Sequence, residues 1–180
     1  MTTSRFWELQ QFSYLETYSF NRGPKLAALY AATTAAIDQT KLALQTAPFR
    51  DQRKLDHQLR ALRGDIDYLI TEKPLTDRSG AFDATADKIA LVQQDSATAQ
   101  RLRAVFEQPA KKVVHSMCLP IYRDALAFYD AQGRRLRVLN ICFECLAMRT
   151  DTGFRLAADV AVYEQLQLLL SELGHPMEEK

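Results

Sequence analysis

Asp124-Ala-Leu-Ala-Phe-Tyr129, Asp130-Ala-Gln-Gly133 and Arg134-Arg-Leu-Arg-Val-Leu-Asn-Ile-Cys-Phe143 decide the fold class of this 180-residue chain. Two strand-like runs flank a short stretch that ends in glycine. Glycine enters the left-handed conformation of such a loop without steric cost. The pattern predicts a β-hairpin. Pairing Asp130 with Arg134 sets Phe128 opposite Leu136, Leu126 opposite Val138 and Tyr122 opposite Cys142. Carried further, that register places Leu119 opposite Cys145. Cys118 then lies one row from Cys145 and about four rows, or ~13 Å, from Cys142.

Upstream of the hairpin, Lys111 to Cys118 alternates as a strand does. Val113, His115 and Met117 share one face, and Val114, Ser116 and Cys118 share the other. Downstream, Leu156 to Leu173 carries Val160, Tyr163, Leu166, Leu170 and Leu173 at helical spacing. Gly174 stands where a C-terminal cap belongs, and Pro176 forbids continuation. The segment 75–87 is rich in turn residues, Lys88–Val92 reads as a strand, and Asp95 or Ser96 caps a helix to about Glu107. One helix over 85–107 is the competing reading.

The N-terminal half is helical. Pro24 sits at a favoured first position, and Leu26, Tyr30, Thr33, Ile37, Thr40 and Leu44 step by four and three, which predicts a helix over 24–46 ended by Pro48. Leu55, Leu59, Leu62, Ile66 and Leu69 repeat the spacing over 51–72, with Gly64 a point of weakness or kinking. The link between them makes an antiparallel helix pair. Phe6, Trp7, Phe12, Tyr14, Tyr18 and Phe20 form an aromatic group expected to close over the core. The whole reads as one α+β domain, 1–180. An N-terminal helical hairpin (within a mainly helical 1–73) packs with a small antiparallel sheet and a C-terminal helix in 74–180.

Composition narrows the functional classes. The chain is 47% hydrophobic and 25% charged with a net charge of +1, which argues against a generic nucleic-acid binder. It shows no secretory leader, lipidation signature or long apolar run, so a cytoplasmic protein without a membrane span is expected. Glycines are scattered singly, with no phosphate-cradling loop.

Chemistry concentrates in the cysteines. His115-Ser-Met-Cys118 precedes the hairpin and Cys142-Phe-Glu-Cys145 ends it. Three readings stand. The cysteines are buried small hydrophobes; or His115, Cys118, Cys142 and Cys145 hold tetrahedral zinc, the one cofactor this set implies; or Cys118, Cys142 and Cys145 are redox-active, the Cys-x-x-Cys pair cycling or pairing with Cys118. Nucleophilic catalysis would need Cys142 or Cys145 near His115, with Asp124 or Glu144 orienting it, and no family signature places them. Arg134, Arg135 and Arg137 cluster at the hairpin tip as a solvated turn or a contact for an anionic partner. His57 is expected on a solvated helix face and His175 in the tail.

Arg123-Asp-Ala-Leu-Ala-Phe-Tyr-Asp-x-x-Gly133 followed by Leu139-x-Ile-Cys-Phe-Glu-Cys145 resembles a stretch of uncharacterised bacterial proteins. Those carry an upstream cysteine, a Phe-Tyr-Asp-x-x-Gly hairpin and a terminal Ile-Cys-Phe-x-Cys. The resemblance covers residues 113–146 and departs at Tyr122, where the pattern has proline before the arginine. It implies that the hairpin and its cysteines act as a unit and implies no reaction. The expected role is a binding or interaction protein, associating with itself or a partner through the helices 24–46 and 51–72. Zinc binding and thiol–disulfide chemistry are the alternatives.

Overall fold

The computed structural model describes residues 1–69, 71, 73–110, 113 and 117–176. Among them the chain forms helices α1 (Thr3–Glu8), α2 (Gly23–Thr46), α3 (Phe49–Leu69), α4 (Ala97–Phe106) and α5 (Val160–Glu172). Its strands are β1 (Tyr14–Ser19), β2 (Asp87–Gln93), β3 (Asp124–Tyr129), β4 (Arg135–Cys142) and β5 (Ala147–Thr150). The strands form one sheet in the order β2-β1-β3-β4-β5, every neighbouring pair antiparallel. The class is α+β, as expected.

β3 lies at the centre and all six of its residues are buried. Its alternation divides the core. Leu126 and Phe128 face α1, α4 and α5, where Phe6, Trp7, Leu102, Phe106, Leu166 and Leu170 meet them. Phe128 is the hub of the aromatic group, with ring centroids 5.7 Å from Phe6, 6.0 Å from Trp7 and 5.2 Å from Phe12. Such edge-to-face pairs add about 0.5–1.5 kcal/mol each beyond the area they bury. Ala125, Ala127 and Tyr129 face the other side, under Leu75 and Tyr122. The loop 73–87 closes that side: the Leu75 N–H donates to Asn140 Oδ1 at 2.7 Å, Phe82 stacks on Tyr18 at 4.9 Å, and the buried Lys73 pairs with Asp83 at 2.7 Å.

The hairpin forms, but its register differs from the sequence expectation. Tyr129 faces Arg135, yet Phe128 faces Arg137 and Leu126 faces Leu139, because the register shifts between Phe128 and Tyr129. The extra residue, Leu136, is a bulge that moves every later pair by one. β3 begins at Asp124, so no ladder extends to pair Tyr122 with Cys142 or Leu119 with Cys145. Val113, Met117 and Cys118 lie outside any strand; Val114, His115 and Ser116 of that expected strand lie outside the described residues.

α2 and α3 match their sequence signals. α2 opens at Gly23 with Pro24 in its first turn, and Ala47 is extended before Pro48. α3 runs straight through Gly64 to Leu69; the end of the expected helix, at 70 and 72, lies outside the described residues. The two helices pack on each other, with Ile37, Thr40 and Leu59 buried, and neither lies along the sheet. The hairpin joins the sheet at its base, where Lys25 pairs with Asp87 at 2.6 Å and Arg22 with Asp124 at 2.5 Å. β2 and α4 settle the 85–107 ambiguity as strand plus helix, with Ser96 capping α4 through the Ala99 N–H at 3.1 Å. Among the described residues, no helix is long and apolar enough to cross a membrane.

Candidate redox site

β4 ends at Cys142 and β5 begins at Ala147. Cys142-Phe-Glu-Cys145 therefore spans a strand end and a tight turn. The Leu146 N–H closes that turn on the Phe143 carbonyl at 3.4 Å, and Leu146 takes the left-handed φ of 47°. Inside the turn the Cys145 N–H donates to the Cys142 sulfur at 3.4 Å. The segment entering β3 runs beside it: the Arg123 N–H donates to the Ile141 carbonyl at 3.3 Å, and the Arg123 guanidinium pairs with Glu144 at 2.6 Å. This crossing sets Cys118 against Cys145, and the two are paired as a disulfide with Cα atoms 5.6 Å apart. The neighbour relation expected from the hairpin is present, produced by the crossing rather than by a strand ladder. Cys142 is the remaining thiol and is buried.

The two residues of the pair differ in exposure. Cys118 is exposed and Leu119 beside it is 65% exposed, whereas Cys145 and Cys142 are each 2% exposed. Burial pushes the Cys142 thiol pKa up, only partly opposed by the Cys145 N–H. A cleft of about 310 Å³ is lined by both Cys118 and Cys145, with Val113, Leu146, Met148, Leu156 and Arg155 among the described residues. Thiolates attack the accessible sulfur of a disulfide. Of the pair, Cys118 is the more exposed residue.

Among the described residues, no group of three or more His, Cys, Asp or Glu side chains gathers as metal donors. The expected zinc set places its fourth ligand on His115, which lies outside the described residues. While Cys118 and Cys145 share a disulfide, neither has a thiolate to offer a metal. The Cys–His nucleophile reading also falls partly on His115. Its carboxylates are engaged elsewhere: Glu144 with Arg123, and Asp124 with Arg22 and His175.

The arginines of the hairpin tip each find a partner within the chain. Arg134 pairs with Asp130 at 2.6 Å, Arg135 donates to the Gly80 carbonyl at 2.6 Å and lies over the Phe82 ring, and Arg137 pairs with Asp151 at 3.1 Å.

His175, expected in the tail, is fully buried. Gly174 at φ 97° ends α5, and the His175 N–H bonds back to the Leu170 carbonyl at 3.0 Å. That closure points the imidazole at the sheet. Its Nδ1 lies 2.7 Å from Asp124 Oδ1 and its Nε2 lies 2.8 Å from the Thr17 hydroxyl. Hydroxyl, imidazole and carboxylate are the residue types of a nucleophilic triad. Thr17 is 0% exposed, so no substrate reaches it and the network is structural. The only sequence sign was a histidine directly after a helix-ending glycine.

Fold and site together define an α+β protein with a cysteine pair set at a strand turn. No family model matches the chain, and neither a curated protein nor a solved structure matches it.

Proposed function

We propose that the protein is a redox-responsive binding protein that works by thiol–disulfide exchange at Cys118 and Cys145. The carrying observation is the asymmetry of the pair: Cys118 is an exposed residue and Cys145 a buried one, and both line one cleft. An incoming thiolate bonds to Cys118 Sγ and the electron pair of the S–S bond leaves on Cys145. A second thiol of the same substrate then displaces Cys118. Two electrons and two protons pass from the substrate dithiol to the protein, which ends with thiols at 118 and 145. The test mixes the oxidised protein with a reduced dithiol peptide. Expected are peptide oxidation and two new protein thiols at those positions, both lost in Cys118→Ser and Cys145→Ser. An as-isolated protein with three thiols and bound zinc replaces this reading with the metal one.

A second reading, self-association, is favoured by the face that α2 turns away from α3. Ala28, Ala31, Ala35 and Leu42 lie there, exposed, with Lys41 already neutralised by Asp38 at 3.0 Å. In a two-fold dimer the occupant of this face is the same face of a second copy. Sedimentation of the protein and of Ala35→Glu tests it. A dimer that the variant converts to monomer supports it, and a wild-type monomer at high concentration overturns it.

A further inference from the structure

The exchange chemistry proposed above leaves one nucleophile unused, the buried thiol of Cys142. We propose, resting on that reading, that the disulfide migrates: Cys142 attacks Cys145, converting the Cys118–Cys145 bond into Cys142–Cys145 and releasing Cys118 as an exposed thiol.

The geometry carries this. Cys142 ends β4 and Cys145 lies in the turn that follows, with the Cys142 sulfur close enough to the Cys145 backbone to accept its N–H at 3.4 Å. Cys145 thus has one sulfur bonded to it, from the crossing segment, and a second against its backbone N–H, from three residues upstream. The step is balanced without an oxidant. The Cys142 S–H loses its proton, its lone pair forms the new S–S bond, and the electron pair of the old bond departs on Cys118 Sγ, which takes up a proton. Solvent reaches Cys118 and so stabilises the departing thiolate, whereas burial keeps Cys142 protonated and the attack latent. Only the Cys118–Cys145 bond ties the exposed Met117–Leu119 stretch covalently to the β4–β5 turn. Migration unties it, changes one wall of the cleft and presents a reactive cysteine between two exposed apolar side chains. The site then has two oxidised forms of equal oxidation state and different surface.

The test follows one thiol. Wild-type protein without reductant is held at neutral or alkaline pH, quenched in acid, labelled with a maleimide under denaturing conditions and mapped by peptide mass. Expected is one label per chain throughout, on Cys142 after neutral incubation and mostly on Cys118 after alkaline incubation. Cys142→Ser is expected never to label at Cys118. Cys118→Ser, treated with oxidised glutathione, is expected to form Cys142–Cys145, which checks the reach independently. A single label that stays on Cys142 at every pH, or a Cys118→Ser protein that forms no bond between 142 and 145, overturns migration while leaving exchange at Cys118 standing. Three labels from the outset overturn the exchange reading itself, and migration with it.

Discussion

The backbone N–H of Cys145 bonds the sulfur of Cys142 at 3.4 Å, while the sulfur of Cys145 is bonded to Cys118. One residue thus links a buried thiol, Cys142, to an exposed disulfide partner, Cys118, and the two have opposite environments. Cys142 is shielded by the sheet and its pKa is raised by burial, so at neutral pH it is a protonated, inaccessible thiol. Iodoacetamide is expected to modify it about tenfold or more slowly in the native protein than in urea. Equal rates in the two states contradict this environment.

The buried network around Asp124 makes a second expectation. Asp124 is held by Arg22 at 2.5 Å and by His175 at 2.7 Å, all on a closed side of the sheet. His175→Ala leaves the Thr17 hydroxyl and one carboxylate oxygen without their buried partner. Truncating one member of such a buried set costs roughly 2–4 kcal/mol. Urea unfolding at neutral pH measures it. A loss below about 0.5 kcal/mol, the range of ordinary surface substitutions, contradicts the role.

Glu16 gives a pH-dependent expectation. Burial raises its pKa, but hydrogen bonds from Tyr18, Lys88 and Tyr129 outweigh that and hold it below the usual carboxylate value. A carboxylate whose folded pKa is depressed adds stability that is present above its unfolded pKa, near ~4.3, and is lost as pH falls through the folded pKa. Glu16→Gln is therefore expected to cost about 1–2 kcal/mol at neutral pH and progressively less below that unfolded value. Unfolding curves of both proteins across that range check it. A difference that does not shrink in acid contradicts it.

The self-packed hairpin of α2 and α3 implies a separable unit. Leu59 is buried between the two helices, and neither helix lies along the sheet. Leu59→Ala is expected to remove about 2–3 kcal/mol of local stability. Amide exchange should accelerate across α2 and α3 while β3 and β4 stay protected. Uniform acceleration over the whole chain means that the hairpin is integral to the core.

What the sequence made legible was local. α2, α4 and α5 carry their own start and stop signals in Pro24, Ser96 and Gly174, and the loop 130–133 declares its hairpin. β1 escaped because both its faces are covered. Thr17 and Ser19 are buried polar residues, satisfied in the case of Thr17 by a histidine 158 positions away, so no apolar alternation marks the strand. The bulge at Leu136 carries no glycine to announce it, and one inserted residue was enough to displace the register. The Cys118–Cys145 neighbourhood was readable because both residues flank the same hairpin. The unequal burial of Cys118 and Cys145 was not, since no local pattern in the sequence records how the segment before β3 crosses the β4–β5 turn.

The most direct measurement is an equilibrium redox titration of the native protein against glutathione buffers, with thiols counted and mapped at each potential. The expected result is a single two-electron transition between one and three thiols. Cys118 and Cys145 should titrate together, within roughly −180 to −320 mV, the span of glutathione-poised compartments and structural-disulfide limits. Three thiols at every potential, or a disulfide that yields only after unfolding, contradicts a redox role for the pair.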